Sequence, residues 1–130
     1  MPVRPTYTRR QHYEVLAIGP HARDPNNRLF DSAYLVADAN NEKWLYAGVV
    51  AAVDSTTDKY VPYSSVAAYG TGSDDPVGVF ETPYDMTLGD VATQVVIQGP
   101  MLEDYCLIFG GALGTISAAV KTALPRLMWV

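Results

Sequence analysis

Apolar positions come in short runs along this chain, separated by Pro, Gly, Asn and Asp. The clearest run has Val91, Thr93, Val95 and Ile97 alternating with Ala92, Gln94, Val96 and Gln98. A period of two sends successive side chains to opposite faces, which predicts a strand that Gly99-Pro100 is expected to end. Residues 44–53 are mostly apolar, with aromatic and β-branched members around Gly48, and predict a second strand. Shorter extended pieces are predicted at residues 13–18, 34–37, 60–63, 66–69 and 77–81. Residues 38–41, 54–58 and 70–75 between them are rich in turn formers. The period changes only near the end, where Leu113, Ile116, Val120, Leu124 and Leu127 recur at steps of three or four. That predicts a short helix over residues 117–124, stopped by the ring of Pro125, and then a terminal extended piece at 127–130. The pattern is mainly β with a short C-terminal helix, without an internal repeat.

Composition places this pattern among folded globular chains. The sequence is 48% hydrophobic and 18% charged, and its 130 residues suit one domain. Nine Tyr against three Phe point to half-buried surfaces of the kind found at protein interfaces.

Charge divides the chain in two. Arg4, Arg9, Arg10, Arg23 and Arg28 outnumber Glu14 and Asp24 in residues 1–30, a balance of +3, whereas residues 31–130 hold four cations and twelve acids, a balance of −8. Pro2, Pro5, Pro20 and Pro25 interrupt the basic part repeatedly. The expected organisation is an extended basic N-terminal arm over 1–30, ordered by a partner, on a single β-rich domain over 31–130. The arm lacks Lys and a dense run of like charge, and the acidic body repels phosphate, so no nucleic-acid partner is expected. No membrane partner is expected either. The longest weakly polar stretch, residues 105–120, is shorter than the ~20 residues a bilayer requires. The N-terminal residues carry no apolar signal core, and the chain reads as soluble and intracellular.

Candidate chemistry is sparse. His12 and His21 lack neighbouring Cys or a second His at ligand spacing, so no metal is expected, and both read as solvated or partner-contacting. Cys106 lies in an apolar run that would raise its pKa, and reads as a small buried hydrophobe rather than a nucleophile. Asp54 and Asp58, and the pair Asp74-Asp75, lack the ligand alternation of a calcium loop and read as solvated carboxylates. Glu103 and Asp104, being adjacent, diverge on an extended chain and make a poor catalytic pair. Gly70-Thr-Gly-Ser lacks the third glycine of a dinucleotide loop, and Gly110-Gly-Ala-Leu-Gly-Thr lacks the lysine of a phosphate loop. The expectation is a non-enzymatic chain with no catalytic residues, no cofactor and no small-molecule substrate.

In order, Lys59-Tyr-Val-Pro-Tyr-Ser, Asp75-Pro-Val-Gly-Val-Phe-Glu, Thr93-Gln-Val-Val-Ile-Gln-Gly, Met101-Leu-Glu-Asp-Tyr-Cys-Leu, an Ala/Thr-rich helix and Leu127-Met-Trp-Val resemble the lambda-type head decoration proteins of tailed bacteriophages. The resemblance covers residues 59–130, and Ser32-Ala-Tyr-Leu-Val-Ala extends it upstream. The longer N-terminal region and the Asp/Asn-rich insert near 38–42 depart from that family. The resemblance implies a β-tulip decoration domain that assembles as a homotrimer on the outer surface of the capsid. It would be made in the host cytoplasm and would cement the major capsid protein of the expanded head. By charge and position, Arg4, Tyr7, Arg9, Arg10, His12 and Tyr13 are the expected capsid contacts. Tyr63, Tyr69 and Trp129 are the expected trimer contacts. Two other classes stay open: another virion subunit, such as a head–tail connector or tail-tube ring protein, and a small β-barrel that binds a ligand or uses Asp/Glu groups in catalysis.

Overall fold

A computed structural model describes residues 14–63, 75–109 and 113–130. The expected capsid contacts Arg4, Tyr7, Arg9, Arg10, His12 and Tyr13, the expected trimer contact Tyr69, and the extended piece at 66–69 lie outside those residues.

The protein is mainly β with one short helix. Strands β1 (Ala22–Arg23), β4 (Val50–Val53), β5 (Tyr60–Pro62), β6 (Pro76–Phe80) and β9 (Val95–Met101) form one sheet in the order β1-β9-β6-β4-β5. β10 (Leu127–Trp129) joins it parallel to β9, and the other strand pairings described in this sheet are antiparallel. Two small ribbons complete the β structure: β2 (Arg28–Leu29) with β8 (Ala92–Thr93), and β3 (Trp44–Leu45) with β7 (Tyr84–Asp85).

The sheet is buried on both faces. On one side Val50, Val79 and Val96 pack with Val15, Met101, Cys106, Val120 and Leu127; on the other Ala51, Phe80 and Val95 pack with Phe30, Leu45, Tyr60 and Met86. Adjacent residues of one strand thus enter different cores, as the pleat dictates. This explains why the apolar pairs Val79-Phe80 and Val95-Val96 replace the clean alternation of a half-solvated strand. The aromatic centre of the second core is two edge-to-face contacts, Phe30 on Phe80 and Tyr60 on Phe80, with ring centroids 5.5 and 5.8 Å apart.

α1 (Ala118–Ala123) begins where Ser117 accepts a bond from the Val120 N–H and ends at Leu124, just before Pro125. Val120 and Leu124 bury its inner face, and Lys121 ties it to Glu103.

The single strand expected over residues 91–98 is divided at Gln94 between β8 and β9, and four further expectations need correction. Residues 44–53 form two strands, because Gly48 turns the chain with φ +92° and receives the backbone of Tyr105 so closely that a Cβ would lie 2.2 Å from its carbonyl oxygen. Gly99-Pro100 lies within β9 instead of ending it. The β10 ladder uses the Gly99 N–H and the Met101 carbonyl, while the opposite edge needs only the Pro100 carbonyl, which accepts from the Ala17 N–H at 3.2 Å. Proline's missing donor is therefore never required. Residues 34–37 are not a strand: Asp31 caps a 3-10 turn, Ser32–Tyr34, that delivers Leu35 to the core.

The fourth correction concerns the arm. Residues 14–30 do not stand away from the body. Val15 and Phe30 are wholly buried, β1 pairs with β9, and β2 with β8. The Tyr60 hydroxyl donates to Asp24 at 3.0 Å, Arg28 reaches Asp24 and Asp58 at 3.3 Å, and Arg23 pairs with Glu81. Arg23 and Arg28, two of the five arginines that read as a basic arm, neutralise acids of their own chain. His21 is half-buried, and its Nε2 lies against the Pro100 carbonyl of its own chain.

Asp90 joins distant segments. It accepts from Lys59 Nζ at 2.7 Å, and from the Ser32 hydroxyl and N–H at 2.7 and 2.9 Å. Lys59 first, then Ser32, hold its carboxyl down at about 2. A depressed carboxyl stabilises the fold above the ordinary Asp range, and that contribution fades as pH falls through the range toward 2. Asp90→Asn is therefore expected to lower stability at neutral pH and to flatten the acid limb between about pH 4 and 2, measured by urea unfolding across pH. An unchanged acid limb would contradict this. Gly48→Ala should cost roughly 2–4 kcal/mol in the same assay, from left-handed strain plus collision with fixed backbone.

Candidate interaction surface

Both ends of the described chain meet at the far end of β9. Leu16 bridges Met101, and the Leu102 N–H donates to the Val15 carbonyl at 2.8 Å. Opposite them, the Val130 N–H donates to the Met101 carbonyl at 2.9 Å, and the Glu103 N–H donates to the Val130 carbonyl at 3.1 Å. Residue 14 and the C-terminal Val130 are thereby fixed side by side, on the two edges of one strand.

Apolar side chains face solvent around this end. Ile18 is fully exposed, and Met128 and Val130 are more exposed than buried. Ile18, Pro20 and Met128 border an open cleft of about 370 Å³ whose floor is Gly99-Pro100, with Arg126 at its edge. Gly99 holds φ +123°, and a Cβ there would meet the His21 ring and the Pro20 carbonyl at 2.6 Å. Glycine lets residues 20–21 press against β9 and thereby sets the position of Ile18. Exposed apolar groups gathered on one face favour contact with another protein surface.

Of the expected trimer contacts, Tyr63 and Trp129 are both half-buried and pack against the same core, the one containing Val50, Val96 and Val120. Trp129 is the more informative. Its indole N–H is closed to solvent and has no acceptor among the described residues. A buried donor without a partner costs about 1–3 kcal/mol.

The candidate chemistry of the sequence is placed as follows. Cys106 is buried, its thiol pushed up to about 12 by burial and then by Glu103, and its Sγ lies 3.4 Å from the Leu102 carbonyl. Glu103 pairs with Lys121 while Asp104 faces solvent, so the two acids serve different surroundings. Asp54 is buried rather than solvated. It accepts from the Thr56 N–H at 2.8 Å and so holds the β4–β5 turn. Among the described residues no three His, Cys, Asp or Glu groups gather as a metal-binding set, and no helix is long and apolar enough to cross a membrane. Sequence reading missed Ile18 and Met128, because an isolated apolar residue in a turn or strand carries no sign of whether its own core covers it.

No family model, curated protein or solved structure matches this chain.

Trp129→Phe keeps most of the ring packing and removes the orphan donor. It is expected to leave stability within about 1 kcal/mol of the wild type or to raise it, by urea denaturation. A loss well beyond that range would mean that the indole N–H has an acceptor after all.

Proposed function

We propose that this protein is a capsid decoration protein of the lambda type, binding the outside of the expanded head as a trimer and cementing the major capsid protein shell. The observation that carries the reading is the convergence of residue 14 and Val130 on the end of β9, surrounded by exposed Ile18, Met128 and Val130. A cement protein needs one face that meets the shell, and here residues 1–13 depart from the same end that presents the apolar side chains. The ordered run of motifs over residues 59–130 supports the same reading, with the β-tulip as the proposed form of the sheet. Short contacts from an extended segment add main-chain bonds and side-chain pockets. Three copies on a rigid trimer multiply weak contacts into firm attachment. Tyr63 and Trp129, on one side of the sheet, are the proposed trimer contacts.

The test uses expanded, undecorated heads. Adding the purified protein should raise their melting temperature, and deletion of residues 1–13 should leave a folded trimer that attaches more weakly. Absence of binding to mature heads at micromolar concentration would end the proposal. Light scattering that finds six or more subunits would favour a ring-forming connector or tail-tube protein instead.

A further inference from the structure

β9 changes neighbours partway along its length. Its first half pairs with β6 through Val79–Val96 and Phe80–Val95; its second half pairs with β10 from Gly99–Leu127 onward. Where β6 begins at Pro76 and β10 begins at Leu127, the sheet forks. Arg126 stands at the fork, its carbonyl accepting from the Gly99 N–H at 3.1 Å. A cleft of about 320 Å³ opens there, walled by Val77, Ile97, Ala123 and Pro125. Arg126 also borders the second cleft, of about 370 Å³, beside Ile18, Pro20 and Met128. Ile97 and Gln98 are consecutive on β9 and line different clefts, so the two hollows lie on either side of the strand, and Arg126 lines both.

The lack of an ion pair sets Arg126 apart from the other described arginines. Arg23, Arg28, Lys59 and Lys121 are each paired with a carboxylate. Arg126 is exposed and makes no ion pair among the described residues, although the chain carries 14 acids against nine Lys and Arg. An exposed arginine without an ion pair among the described residues, bordering two apolar clefts, presents a forked donor to an incoming carboxylate. The apolar walls favour aliphatic neighbours on either side of that acid. A phosphate-rich ligand fits poorly, because one cation on a net-negative body offers it little.

We infer that the fork around Arg126 docks an extended segment of a partner protein in which an Asp or Glu is flanked by aliphatic side chains, the carboxylate on Arg126 and the aliphatic groups in the two clefts. The inference rests on reading this end of the molecule as a protein-binding surface, and it names the chemistry of the partner segment.

The probe is a capped peptide, Ala-Leu-Glu-Leu-Val-Ala, titrated into the full-length protein and followed by amide chemical shifts. Shifts should centre on Val77, Ile97, Arg126 and Met128. The Gln peptide should bind about tenfold more weakly, as expected for loss of one charge-assisted contact. Arg126→Glu should abolish binding of the Glu peptide and favour a Lys peptide. Equal binding of the Glu and Gln peptides, or no shifts at these residues at millimolar peptide, would overturn the inference. So would movement of the same amides on diluting the protein without peptide, which would assign the fork to a second copy of the chain. Attachment of Arg126→Glu to expanded heads separates the two readings: undiminished attachment sinks the fork while leaving the decoration role standing, and a wild type that never attaches sinks the role itself.

Discussion

β9 is paired along both edges and sends side chains into both cores, and the other elements are arranged by what that strand requires. Val96 lies between Arg23 and Val79, and Met101 between Leu16 and Trp129. Its side chains alternate between two cores, Val95 into one and Val96 into the other. A strand paired and packed in this way tolerates little adjustment, because its edges and its buried side chains are already engaged. Gly99 and Pro100 fit within it only because one neighbour presses in where a side chain would clash and the other edge asks for no donor.

This constraint links fold to surface. Since β9 takes residues 15–17 on one edge and β10 on the other, Val15 and Val130 are held near the same end of that strand. The apolar groups beside them cannot all turn inward, because the core side of β10 is already filled by Leu127 and Trp129. Met128 is left outside by the pleat, and Ile18 by the turn at Gly19. An exposed apolar face at this end is thus a by-product of pairing the central strand, and among the described residues it carries one arginine without an ion pair.

Much of the architecture was legible in the pattern of residues. The helix before Pro125, the terminal strand at Leu127, and strands at Tyr60 and Val77 follow from local periodicity and local breakers. The errors share one cause: the deciding partner lay far away in sequence. Residues 14–30 read as an arm because prolines and arginines dominate them locally. Asp24, Arg28 and Phe30 are in fact held by Tyr60, Asp58 and Phe80. The break at Gly48 depends on Tyr105, and the passage of β9 through Pro100 depends on Ala17. Of the candidate site, Trp129 was visible as a terminal aromatic. The gathering of Ile18, Met128 and Arg126 at a fork in the sheet exists only once the strands are paired.

Hydrogen–deuterium exchange of the protein, free and bound to expanded heads, tests most directly whether the face at the end of β9 is the working surface. Slower exchange on binding is predicted at residues 16–18 and 126–130, with the ribbon of Trp44–Leu45 and Tyr84–Asp85 unchanged. Protection confined to that ribbon and the neighbouring Leu88 turn would contradict the account.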